Sequence, residues 1–259
     1  MEEKKTKKDP DKSTINKILD KYKKLNYEEV IEDARIILKE YPGHLRVMNL
    51  LAVSLLRTQK DQEAKKIFEI IAENRPDDSQ SYLNLGTFYL NTKDKEKSEQ
   101  YLKKAIELNE NNYMAYLNLG LLYQSEKDIK NSISFFNKSI EIRPEQYLGY
   151  HHLGKSYFSV EDYKNSIISF EKAINIRPDF AEAHENLGEV YKNLQDYEKA
   201  IDKFETAIIF RTKSHILYNK LAELYIEKEN FVKAEKNYVK SLKINPDYLL
   251  VLIWSFKSE

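Results

Sequence analysis

The sequence predicts an all-α fold, a solenoid of antiparallel helix pairs, and three observations carry that prediction. Five of the six prolines, Pro42, Pro76, Pro144, Pro178 and Pro246, fall on one series of step 34, whose vacant terms are Glu110 and Thr212. Four of the six glycines, Gly86, Gly120, Gly154 and Gly188, repeat at the same step, with Ala52 and Ala222 on the flanking terms. Between these markers apolar residues recur at three and four, the spacing of a helix face. A period of 34 residues is the length of one helix-turn-helix unit, and the register runs from Pro42 to Pro246 without insertion or deletion, which predicts neither a linker nor a second domain.

Residues 1–10 form a tail in which Lys4, Lys5, Lys7 and Lys8 alternate with Glu2, Glu3 and Asp9, a mixed-charge run expected to be solvated and disordered. From residue 11 the chain divides into about seven units: 11–44, 45–78, 79–112, 113–146, 147–180, 181–214 and 215–248. The earliest is degenerate. Its second helix, Tyr27 to Tyr41, fits the pattern, but Lys17 and Ile18 stand where later units carry Leu-Gly, which marks it as a capping unit. In the unit from Ser79 to Asn112, Tyr82, Leu85, Gly86 and Tyr89 stripe a first helix and Ser98, Leu102 and Ala105 a second. Asp94 lies between them, placed to accept from the free amides that open the second helix. Asp128, Asp162, Asp196 and Asn230 occupy the same place in later units. The periodic proline should end each second helix, so a less sharp stop is expected where Glu110 and Thr212 replace it. Residues 249–259 read as the start of a further unit or a C-terminal interaction helix. Leu250 and Trp254 are its candidate contact residues, through which the chain could pair with a second copy.

Composition narrows the function. Lys plus Arg and Asp plus Glu each number 42, so no net charge draws a nucleic acid or an anionic membrane, and neither is an expected partner. There is no cysteine, which removes thiolate catalysis and cysteine zinc sites. The N-terminus has no apolar core of a signal peptide or anchor, which makes the cytoplasm the expected location. The histidines, His44, His151, His152, His184 and His215, form no i, i+4 pair, so no metal site, cofactor or catalytic residue is assigned and the chain is not expected to be an enzyme. His184 stands in a packing position otherwise filled by Tyr82, Tyr116, Tyr150 and Tyr218. Tyr89, Tyr123, Tyr157, Tyr191 and Tyr225 could suggest a stacking platform, but they share a helix face with the periodic leucines and are expected in the core.

The unit containing Tyr116, Leu119, Gly120, Tyr123, Ser132, Phe136, Ser139 and Pro144 resembles the tetratricopeptide repeat, and the likeness covers nearly the whole chain. It implies a right-handed superhelix whose first helices line a concave groove that binds a protein or peptide partner. The position before the periodic leucine in that groove holds Leu50, Asn84, Asn118, His152, Asn186 and Lys220. The asparagines Asn84, Asn118 and Asn186 resemble the ladder in the repeat region of O-linked N-acetylglucosamine transferase, which implies that their amides grip a peptide backbone. Arg46, Asn49 and Arg57 make the first end basic, Met114, Leu117, Leu121 and Leu148 the middle apolar, and Glu182, Glu185, Glu189 and Glu223 the far end acidic, with Lys155 completing the candidate surface. The two-carboxylate clamp of co-chaperones in this family has no matching set here. The leading expectation is an interaction scaffold or adaptor; the alternatives are a substrate-recruiting part of a glycosyltransferase or sulfotransferase, or a self-associating scaffold.

Overall fold

The computed structural model describes residues 9–246, and among them fourteen helices and no strand occur. Leu250 and Trp254, with the whole 249–259 segment and most of the N-terminal tail, lie outside the described residues. The described residues form two compact units, which divide between Asn118 and Leu119. The first holds α1 (Lys12–Lys23), α2 (Tyr27–Glu40), α3 (Leu45–Arg57), α4 (Asp61–Asn74), α5 (Ser79–Asn91), α6 (Lys95–Leu108) and the opening of α7 (Tyr113–Ser125). The second holds the remainder of α7, then α8 (Ile129–Ile142), α9 (Tyr147–Ser159), α10 (Tyr163–Ile176), α11 (Ala181–Asn193), α12 (Tyr197–Phe210), α13 (His215–Glu227) and α14 (Phe231–Ile244). Within each unit α1 to α6 and α8 to α14 each pack on their sequence neighbours, and first helices also touch across repeats, α1 on α3 and α9 on α11.

The expected caps open the second helices. The side chains of Asp94, Asp128, Asp162, Asp196 and Asn230 accept from the backbone N–H three residues on. First helices have caps of mixed chemistry that the periodic pattern does not reveal: Asp11, His44, Asp78, Asn112, Gln146 and Ser214. The turn inside each repeat adds a second series of step 34. Leu25, Gln59, Lys93, Lys127, Glu161, Gln195 and Glu229 all adopt the left-handed conformation, with φ between 55° and 63°, and none is glycine. The following N–H reaches back to close the helix, as Asp94 N–H does to the Tyr89 carbonyl at 2.9 Å. Each such residue costs about 1–2 kcal/mol of backbone strain.

The less sharp stop expected at Glu110 and Thr212 does not occur. The second helices α6 and α12 are 14 residues long, like α8 and α10, and end in the same register. At α6 the stop is made by hydrogen bonds just beyond the helix. The Asn109 N–H bonds the Ala105 carbonyl, Ser79 Oγ donates to that same carbonyl at 2.8 Å, and Asn112, which donates to Ser79 Oγ, caps the next helix. The stop is therefore set by packing and capping, and proline is dispensable to it.

The core of the second to sixth repeats is a large side chain from the second helix seated on a small residue of the first. Phe68, Leu102, Phe136, Phe170 and Phe204, spaced by 34, are among the most completely buried side chains. A Cβ placed on Gly154 would stand 2.8 Å from Phe170 Cδ1, on Gly188 2.8 Å from Phe204 Cε1, and on Gly86 2.6 Å from Leu102 Cγ. In the first repeat the sizes are exchanged: buried Ile18 occupies the glycine position, and the register sets Ala34, also fully buried, in the phenylalanine position. The tyrosine series is shallower than expected. Tyr89 and Tyr225 are buried, but Tyr123, Tyr157 and Tyr191 are only partly buried. The second-helix rings already fill the deepest layer, so the tyrosines lie nearer its edge, where Lys97, Lys199 and Lys233 sit 5.0–5.2 Å from the ring centroids of Tyr89, Tyr191 and Tyr225.

The steric fit and the left-handed turn each set a stability outcome. Gly154→Ala should destabilise by about 1–3 kcal/mol in denaturant titration, because the added methyl would stand 2.8 Å from Phe170 and force the buried ring to shift, and Phe170→Leu in the same chain should recover part of the loss. Lys93→Gly should raise the stability by up to about 1 kcal/mol, the left-handed strain relieved less the entropy that glycine adds to the unfolded chain, while Lys93→Val should lower it.

Candidate functional site

The candidate residues lie on the first helices, where residues 35 apart meet across successive repeats. In the first unit, Asn84 Nδ2 donates to Asn49 Oδ1 at 2.8 Å, and Gln80 Nε2 donates to Asn84 Oδ1 at 2.9 Å. Asn118 lacks an equivalent partner, because the residue 35 before it is Leu83. It is 6% exposed and donates instead to Thr87 Oγ1 at 2.7 Å. Arg46 is exposed.

In the second unit the same spacing joins Asn186 to His151 and Lys220 to Glu185. Lys220 Nζ stands 2.7 Å from Glu185 and 2.8 Å from Glu189. Burial alone would lower the Lys220 pKa, but the two carboxylates outweigh it and hold the pKa above its ordinary value. Arg211 bonds Glu182 and Glu185, and Lys192 bonds Glu223 at 3.0 Å. His152, whose counterpart 35 residues earlier is Leu117, stacks on Phe136 at a centroid distance of 5.7 Å. Lys155 is exposed. Asn219, the corresponding residue of α13, is 5% exposed, and its Oδ1 has no partner among the described residues. Counting 35 residues on from Asn219 reaches Trp254, outside the described residues.

Sequence reasoning named both members of two pairs, Asn49 with Asn84 and Glu185 with Lys220, without pairing them, and it missed His151, the partner of Asn186, one position earlier in the preceding repeat. The signal is present as matched character. Polar Asn49, His151 and Glu185 precede polar Asn84, Asn186 and Lys220, whereas Leu83 and Leu117 precede residues that bond or stack elsewhere.

The two adjacent histidines belong to the core. His151 is 5% exposed and packs edge-on against Phe180 at 4.9 Å. The Asn186 amide nitrogen lies 2.8 Å from its Nε2, so Nε2 accepts and the proton sits on Nδ1, which has no partner among the described residues. Burial, with lesser repulsion from His152 and Lys155, lowers the His151 pKa to about 3. Burial and Lys155 lower that of His152 to about 4. His184, packed as expected, donates from Nε2 to the Pro178 carbonyl at 2.9 Å and lies over Phe210. No group of three or more metal-ligating side chains gathers among the described residues, and no helix there is long and apolar enough to cross a membrane.

The histidine shifts set the sign of the pH dependence. Unfolded rings take up protons near pH 6.5 while the folded ones stay neutral, so this stabilisation is complete above that pH and is lost as pH falls toward 4. Denaturant titration between pH 7 and pH 4.5 should show a loss of up to about 1.4 kcal/mol per pH unit for each ring, and His152→Phe should reduce the slope.

Sequence profiles described as tetratricopeptide repeat match residues 50–78, 79–112, 115–146, 181–211 and 216–248, and one described as TPR repeat matches 154–195. Among curated proteins none matches the chain by sequence. Among solved structures the fold is similar to that of MamA, at 22% identity over 65% of this chain and 92% of that one, TM-score 0.60. It is similar also to YrrB, described as a TPR protein with an unusual peptide-binding site, at 22% identity over 73% of this chain and 97% of that one, TM-score 0.60. PilF of Pseudomonas aeruginosa matches at 12% identity over 82% of this chain and 97% of that one, TM-score 0.71. The periodic small residues, the buried rings set upon them and the profile matches along the chain agree: it belongs to the tetratricopeptide repeat family.

Proposed function

We propose that this chain is a protein-binding module that holds an extended segment of a partner along the first-helix faces of its repeats. The observation that carries the reading is the amide relay in the first unit. Gln80 orients Asn84, and Asn84 holds Asn49 by its oxygen, which leaves the Asn49 amide nitrogen as a fixed donor with no partner among the described residues. A donor pre-set in this way suits a peptide carbonyl, because the cost of ordering it is already met by the fold. The peptide-binding site described for the similarly folded YrrB supports the same direction. In the second unit, Glu185 and Glu189 are bound to Lys220, and Glu185 also to Arg211, so they present a partner with a largely neutralised surface rather than bare carboxylates.

Peptides selected from a random displayed library against the intact chain provide the test. Asn49→Ala should weaken the selected peptides by about 0.5–1.5 kcal/mol, one hydrogen bond, in calorimetric titration. Asn84→Ala should weaken them similarly by releasing Asn49, and should also lower the melting temperature, since it breaks a contact between repeats. Peptides that bind both variants as tightly as the parent would refute the relay as the site. Failure to select any peptide or protein segment would refute the function.

A further inference from the structure

A pocket of about 490 Å³ in the second unit is bounded by Gln124, Lys127, Ile129, Lys155 and Ser159, from the end of α7, the turn into α8 and the end of α9. Its charge is unbalanced. The first helices α9, α11 and α13 each carry one lysine, and two of the three are neutralised, Lys192 by Glu223 and Lys220 by Glu185 and Glu189. Lys155 has no carboxylate within ion-pair distance among the described residues. Glu189, which holds its register position one repeat later, is committed to Lys220. Lys127 is likewise without a carboxylate, and its backbone N–H is spent on the Gln124 carbonyl in the turn. Gln124 donates through Nε2 to the His152 carbonyl at 3.1 Å and to Ser156 Oγ at 2.9 Å. That fixes its amide and leaves Oε1 as an acceptor. Ile129 supplies an apolar wall.

We propose that this pocket binds an acidic side chain, Asp or Glu, of an extended peptide whose neighbouring aliphatic side chain rests on Ile129. The carboxylate lies between Lys127 and Lys155, and Gln124 Oε1 accepts a backbone N–H of the peptide. Arginine forks, a usual mark of a phosphate site, do not line the pocket, and its apolar wall favours a peptide. The proposal rests on the partner-holding reading above and adds the chemistry of the segment held.

The test uses the intact chain and two fluorescein-labelled octapeptides, Gly-Ser-Glu-Leu-Glu-Leu-Ser-Gly and its counterpart with Gln for Glu, followed by anisotropy. The acidic peptide should bind about tenfold more tightly at low salt, the effect of two exposed ion pairs. The preference should vanish in Lys127→Gln/Lys155→Gln with an unchanged melting temperature, and Ile129→Ser should weaken both peptides. Equal affinity for the two peptides, or an acidic preference that survives the double lysine variant, overturns the proposal. So does inorganic phosphate that displaces the acidic peptide far better than acetate at equal ionic strength. If library-selected peptides bind but are indifferent to the lysine variant, the pocket assignment falls and the partner-holding reading stands; if no peptide binds at all, both fall.

Discussion

The structure depends on one steric fit: a bulky side chain of the second helix resting where the first helix has almost none. Phe170 against Gly154 and Phe204 against Gly188 bring the helix axes close enough that an added methyl would collide. The approach also allows Ser98 and Ser166 to donate to the carbonyls of Gly86 and Gly154 at 3.0 and 2.9 Å, so polar atoms buried by the fit are satisfied by it. The requirement is on the pair rather than on either residue. Leu102 replaces the ring opposite Gly86, and Ile18 with Ala34 reverses the sizes. Close packing constrains the summed volume, and each repeat meets that constraint in its own way.

Joining one repeat to the next is a separate problem with a separate solution. The contacts between Asn49 and Asn84, between His151 and Asn186, and between Glu185 and Lys220 are polar and chemically different, yet they occupy the same geometric place. Side chains that hold neighbouring repeats together therefore share a surface with side chains able to hold a partner. A ligand on that surface meets groups whose positions are set and whose hydrogen-bonding capacity is partly used. Specificity then falls to what remains: the second proton set of an amide, or a lysine with no carboxylate.

The buried histidines show what this sharing entails. His151 serves as an acceptor for Asn186 only while neutral, and its surroundings of Phe170, Phe180 and His152 keep it so. Nearby Lys155 adds to the same bias from outside the core. The charge that disfavours protonation inside is thus the charge left open to solvent and to ligands outside.

Much was determined by the sequence alone, because steps of 34 in proline, glycine and the helix-opening Asp or Asn are local facts about backbone and capping that survive in any context. The helix pairs, the length of the repeat, the second-helix caps and the periodic place of the glycines were all legible there. Three things were decided only by the tertiary structure. Helices without a proline stop in the same register, since packing and capping end them. Tyr123, Tyr157 and Tyr191 lie at the edge of the core, since depth depends on which side chains fill the deepest layer, and Phe136 and Phe170 fill it. Asn84, Asn118 and Asn186 share a register yet differ in partner and burial, because what each one meets is set by a residue 31 or 35 positions away in another helix. Periodicity reports which face a side chain lies on; only packing reports what lies across from it.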